Sequence, residues 1–198
     1  MRILGHGLDS VGLYEEWLGV IEVHLSTLRR VGASEERILS VTSDKAVCLA
    51  DLGCIGERST DEALQLRREV FAATAPDDEL KWNRALNLSA SLLDTQRYEE
   101  AKSFLLEQLP EAERALGVDD DTSILLRANY AMSLYLDGGA SRDDVVKAVA
   151  LLEALLATTQ RIYGPSHPKP AKVQIKVGNA REKLALFPLV KDGDQPDV

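Results

Sequence analysis

"RALNLSASLLDTQRYEEAKSFLLEQLPEAERALGVDDDTSILLRANYAMSLYLD" runs from Arg84 to Asp137 and contains one pattern twice. "RALNLSASLLD" (84–94) carries Asn87, and "LRANYAMSLYLD" (126–137) carries Asn129, 42 residues later. The same offset of 42 joins Asp77 in "APDDE" to Asp119 in "GVDDD". In both copies the acidic pair precedes an apolar helical run, where an N-cap and first-turn negative charge belong. Self-similarity at this period is the mark of a chain built from repeated helical units.

Each of these helices ends at a break and leads into a second: "DTQRYEEAKSFLLEQL" after Leu93 and "DGGASRDDVVKAVALLEALL" after Leu136. The later copy has about five extra residues around Gly138 and Gly139, which lengthen only the turn. Ala101 and Ala148 then stand at equivalent places, where a small side chain lets two helices approach closely. A weaker, earlier copy reads "DKAVCLADLGCIGERSTDEALQLRREVF", with Ala50 and Ala63 in the matching positions. Helices are predicted over 11–31, 35–54, 59–74, 78–94, 98–116, 121–136, 142–163 and 168–187, and sustained period-two alternation is absent, so no sheet is expected. Pro110 interrupts "FLLEQLPEAERALG", and a kink near Gln108 is expected there. An N-terminal helix within 1–33 caps repeats at 34–75, 76–117 and 118–164, a helix at 167–187 follows, and 188–198 reads as a flexible tail.

Composition narrows the function. A chain of 198 residues with 45% hydrophobic but only 5% aromatic residues draws its core from Ala and Leu, which suits close-packed helices. A formal charge of −9 argues against general affinity for nucleic acid or anionic membrane, both of which need a dense basic face. Cys48 and Cys54 are six residues apart and point to different helix faces, so they read as buried reduced thiols. Acidic residues Asp9, Glu15 and Glu16 break any signal-peptide core, and no stretch approaches a membrane span. The expectation is a cytoplasmic protein.

Catalytic signatures are missing as well. "DGGAS" (137–141) lacks the lysine and preceding strand of a phosphate loop. His6, His24 and His167 are scattered, with no HExxH and no GxSxG, so no metal, cofactor or nucleophile is expected. Asp119–Asp121 and Asp143–Asp144 lack the alternation of a calcium loop and read as helix caps.

Asn87–Leu88, "RYEEA" (97–101), the Leu116–Gly117 turn and "GPSHP" (164–168) together resemble the kinesin-light-chain type of tetratricopeptide repeat (TPR), whose period is about 42 residues. The resemblance covers about residues 34–186, with Ser89 and Gln96 standing where the repeat usually has Ala or Gly. It implies an all-α fold: a right-handed superhelical array of antiparallel helix pairs, about three repeats plus flanking helices. Tyr98 and Ala101 would pack inward, and His167 would be a turn residue. The resemblance also implies a concave groove lined by the first helix of each repeat. On this chain the groove positions are Asn83, Asn87, Ala90 and Asp94, then Leu125, Asn129, Met132 and Tyr135, with Asp44, Cys48 and Asp51 in the first repeat. Asn87 and Asn129 offer both donor and acceptor to a peptide backbone. Met132 and Tyr135 offer an adaptable apolar pocket, and Asp44, Asp51 and Asp94 favour basic side chains. The plainer role for both asparagines is bonding to neighbouring helix backbones. The implied function is a non-enzymatic scaffold that binds a peptide or protein segment; the alternative is a helical subunit that self-associates through its end repeats.

Overall fold

A computed structural model describes residues 13–53 and 58–187. Eight helices and no strand occur among them: α1 Tyr14–Arg30, α2 Glu35–Gly53, α3 Arg58–Ala72, α4 Lys81–Asp94, α5 Tyr98–Leu116, α6 Asp121–Leu136, α7 Arg142–Tyr163 and α8 Pro168–Ala185. The chain divides into two compact units, Met1–Arg97 and Tyr98–Val198. In the first, α1 packs on α2, α2 on α3 and α3 on α4. In the second, α5 packs on α6, α6 on α7, and α8 on both α7 and α6.

The repeat is visible in what each helix buries. Leu49, Leu92 and Leu134 are each 3% exposed. Ala46, Ser89 and Ala131 are fully buried, as are Cys48, Ser91 and Ser133 to within 2%. The spacing is 43 residues from α2 to α4 and 42 from α4 to α6, so three first helices present one buried face in one register. Second helices repeat too: Ala63, Ala101 and Ala148 are all at 0%. A small side chain at these points lets helix axes approach closely, and the larger neighbours fill the remaining space.

Two cores result. Ile21, Leu25 and Leu28 of α1 meet Val41 and Cys48 of α2, and the Cys48 thiol donates to the Tyr14 carbonyl at 3.3 Å. Cys54 lies outside the described residues. In the second unit, Ile124, Ala128, Ala131, Leu134 and Tyr135 of α6 pack with Val145, Ala148, Leu152 and Leu155 of α7 and with Val173, Val177 and Ala180 of α8. Each buried leucine contributes about 2 kcal/mol of transfer free energy.

Local chemistry explains most helix ends. Asp120 caps α6 by accepting from the Thr122 and Ser123 amides at 2.8 and 3.4 Å. Ser141 caps α7 by accepting from the Asp144 amide at 3.1 Å. His167 is a turn residue that caps α8: its Nδ1 accepts from the Lys169 amide at 3.2 Å, and its ring stacks on Tyr163. The acidic pair Asp77–Asp78 does not cap a helix at 78, contrary to expectation. Instead Asp78 accepts from the Leu80 amide at 2.8 Å in a turn, and α4 begins at Lys81 without a side-chain cap. Asp78 is also held by Arg84 in the first turn of α4, six residues on.

Helix α5 continues through Pro110, without stopping at Leu109. Proline removes the amide that would serve the Leu106 carbonyl, and both residues lie on the exposed face, where water can replace the bond. At Gln96 the backbone takes φ 59°, a left-handed conformation that ends α4. The Arg97 amide donates to the Leu92 carbonyl at 2.8 Å and the Gln96 amide to Leu93 at 3.0 Å, closing the carbonyls that the helix end leaves open.

Candidate binding cleft

In the register set by the buried faces, four positions of each first helix point away from the core side. They are Ser40, Asp44, Val47 and Asp51 on α2, and Asn83, Asn87, Ala90 and Asp94 on α4. Two members from each helix converge. Ser40 and Asp44, with Ser43, face Asn83 and Asn87 across a cleft of about 380 Å³ whose remaining walls are Leu80 and Arg84. The lining offers an amide pair, two hydroxyls, a carboxylate and one exposed apolar side chain.

Arg84 stiffens one wall. It is 4% exposed, pairs with Asp78 at 2.7 Å and donates to Thr74 Oγ1 at 2.8 Å, both from Nη1. Its other terminal nitrogen is buried without a hydrogen-bond partner. Its counterparts in the repeat register are Val41 and Leu126, both buried and apolar. The charge thus occupies a core position, and pattern reading alone assigns it no role at the cleft.

A second cleft, of about 610 Å³, shares Leu80 and Asp78's turn and is strongly acidic. Glu35, Glu36, Asp77, Asp78 and Glu79 line it, with Leu39, Ala73 and Ala75 supplying the apolar part. Of these residues, only the Asp77–Asp78 pair was expected from the sequence to open a helix.

Asp51 and Asp94 have a different setting from Asp44. The Arg67 guanidinium of α3 lies in the field of both, and donates from Nη1 to the Asn87 carbonyl at 3.0 Å and to the Ser91 hydroxyl. Burial lowers the Arg67 pKa, and the two carboxylates oppose that shift. Their charge is therefore partly balanced within the chain.

In the second unit the assigned residues meet the chain itself. Met132 is half-buried and its sulfur accepts from Lys176 Nζ of α8. Tyr135 is 4% exposed in the core; burial raises its hydroxyl pKa, and a hydrogen bond with Asn179 counters the rise. Its register counterpart is Leu93, also buried, and the position equivalent to Asp94 is Leu136. Tyr135 and, in the first repeat, Cys48 are accordingly core residues and not groove residues. Asn129 is half-buried on α6 and Leu125 is 47% exposed.

Among the described residues no cluster of His, Cys, Asp or Glu could hold a metal ion. No helix among them is long and apolar enough to cross a membrane.

Two crystal structures of the nearly identical TPR-like repeats of a Podosopora anserina protein named for kinesin light chain superpose on this chain with TM-scores of 0.74 and 0.71. The first is of a single-substitution variant. The fold is TPR-like. Each superposition covers 92% of this chain and 84% of the other at 16% sequence identity. No family model matches the sequence, and no curated protein matches it. The TPR-like likeness is thus one of backbone fold, and within this chain alanine at the close approaches and leucine at core positions recur from repeat to repeat.

Proposed function

We propose that the chain is a non-enzymatic protein-interaction scaffold whose α2–α4 cleft receives an extended segment of a partner protein. The observation that carries this reading is the convergence of Asp44, Asn83 and Asn87 on one cleft from equivalent places of two first helices. An extended peptide exposes a donor and an acceptor at every residue, and a primary amide satisfies one of each. Asn83 and Asn87, one turn apart, match that repeat of polar groups. Leu80 offers contact to an apolar side chain. Asp44 and the acidic cleft beyond Leu80 favour lysine or arginine on the segment. The cleft volume is at the small end for a ligand site, and ordering a flexible peptide opposes binding, so affinity on the order of micromolar is expected.

The test is a selection of random peptides displayed on phage against the wild-type chain, counter-selected on the double variant Asn83→Ala, Asn87→Ala. Enriched sequences should carry a basic residue within a few positions of an apolar one, and calorimetry should show at least about tenfold weaker binding to the double variant. Peptides that bind both proteins equally would move the site elsewhere.

A further inference from the structure

Helix α1 has an outward stripe that the cleft does not use. The inward seam, Ile21, Leu25 and Leu28, is buried on α2. The apolar residues at the start of α1 divide between these sides: Ile21 is fully buried and Trp17 half-buried, while Leu13 and Val20 are 38% and 50% exposed. On the opposite side Glu16, Val20, Val23, Thr27 and Arg30 follow one another at alternating steps of four and three residues. That spacing keeps side chains on one line of a helix, as in a coiled-coil seam.

The stripe is apolar in its middle. Val20 and Val23 are 50% and 67% exposed. Ser26 and Thr27 both turn their hydroxyls back to the Val23 carbonyl, at 2.8 and 2.9 Å, so neither needs an outside partner. Gly19 has nothing within 4 Å of where a Cβ would stand. The ends are charged with opposite sign, Glu16 in the first turn and Arg30 in the last. Neither forms an ion pair among the described residues; the helix's salt bridge is Glu22 with Lys45.

We infer that this stripe is a docking surface for a second copy of the same chain, with two α1 helices antiparallel about a two-fold axis at Val23. The axis puts Glu16 opposite Arg30 of the second copy and the reverse, which makes two ion pairs from one sequence. Gly19 then faces Thr27, and Val20 faces Ser26, so small positions receive larger ones, as close helix packing needs. An isologous contact of this kind closes at two copies. One helix face against another buries roughly 1,000 Å² in total, the size of a weak contact, so a dimer constant on the order of 100 µM is expected.

Sedimentation velocity on the full chain, from about 10 µM to about 1 mM, tests it. The wild type should show a concentration-dependent dimer. Glu16→Arg alone and Arg30→Glu alone should each weaken it at least about tenfold, and the double exchange should return it to within about threefold. A merely structural role gives the opposite order. Both exchanges oppose the helix dipole, so their damage to α1 would add and not cancel. Circular dichroism checks helicity, and Val23→Asp, at an exposed site, gives a folded control that places two carboxylates at the axis. A monomer at every concentration, a dimer indifferent to Val23→Asp and to the single exchanges, or a double exchange no better than the worse single would overturn the proposal. Asn83→Ala with Asn87→Ala should leave association unchanged, which separates this surface from the cleft.

Discussion

Arg84 holds Asp78 at 2.7 Å while only 4% exposed, and this pair ties the turn before α4 to the wall of the cleft. Arg84 is buried and Asp78 partly exposed, so taking away the carboxylate leaves an uncompensated buried cation, whereas replacing the cation by an apolar side chain removes the problem. Asp78→Ala should therefore destabilise by about 2–4 kcal/mol, and Arg84→Leu, which restores the residue type of Val41 and Leu126, by no more than about 1 kcal/mol. Urea unfolding of both variants reads the difference. Equal losses of this size would mean that the pair itself is net stabilising and that the uncompensated buried cation is not the source of the cost.

Gln96 occupies a left-handed position, φ 59°, that glycine adopts without strain. Gln96→Gly should stabilise the protein by about 0.5–1 kcal/mol, because relief of strain outweighs the added freedom of the unfolded chain. Gln96→Val, β-branched and ill-suited to positive φ, should destabilise it. Thermal unfolding of the three proteins gives the order directly.

Asp121 accepts from Lys169 Nζ and from the Tyr163 hydroxyl, contacts that join the start of α6 to the end of α7 and the start of α8. These hydrogen bonds, the Lys169 one foremost, hold its carboxyl below the usual 3.8. A carboxylate depressed in the folded state contributes stability above its unfolded pKa and loses it as pH falls through the folded value. The melting temperature of the wild type should exceed that of Asp121→Asn at neutral pH. The gap should persist down to about pH 4 and close below it. A gap that stays constant into strong acid would show that the carboxylate's charge is not the stabilising element.

Ala131 is fully buried where α6 meets its neighbours, as Ala46 and Ser89 are on α2 and α4. Ala131→Leu should cost about 1–3 kcal/mol by overpacking, while Ala131→Ser should cost less, because Ser89 already fills the equivalent place. Chemical denaturation measures both.

How much of this was legible in the sequence follows from what periodicity encodes. The 42-residue offset of Asn87 and Asn129 led to the helix pairs, and the buried leucines Leu49, Leu92 and Leu134 share that spacing in the structure to within one residue. Helix ends from α5 to α7 agree to the residue with expectation, since strong caps or glycines mark most of them. The α4 start was misplaced because Asp78 closes a turn onto the Leu80 amide and pairs with Arg84, a geometry that an acidic pair before an apolar run does not distinguish from a helix cap. At the groove, Tyr135 was assigned by a three-residue step from Met132, whereas the helix register continues to Leu136; an apolar–aromatic run looks the same from either face. Asp44, Asn83 and Asn87 were expected at the groove and line one cleft, together with Ser40, Ser43, Leu80 and Arg84, which were not named with them. Strict use of the 43-residue offset would have found Ser40 from Asn83. Nothing in the pattern would have found Arg84, which takes a core position and brings its counter-ion from a turn.

The measurement that bears most directly on the central claim is a titration of the isotopically labelled chain with a cleft-selected peptide, followed through the side-chain amide signals of Asn83 and Asn87. Binding in the α2–α4 cleft predicts saturable shifts of both amides together with the backbone signals of Ser43 and Asp44. Unmoved asparagine amides, with shifts confined to α1 or to the Met132–Lys176 side of α6 and α8, would contradict it.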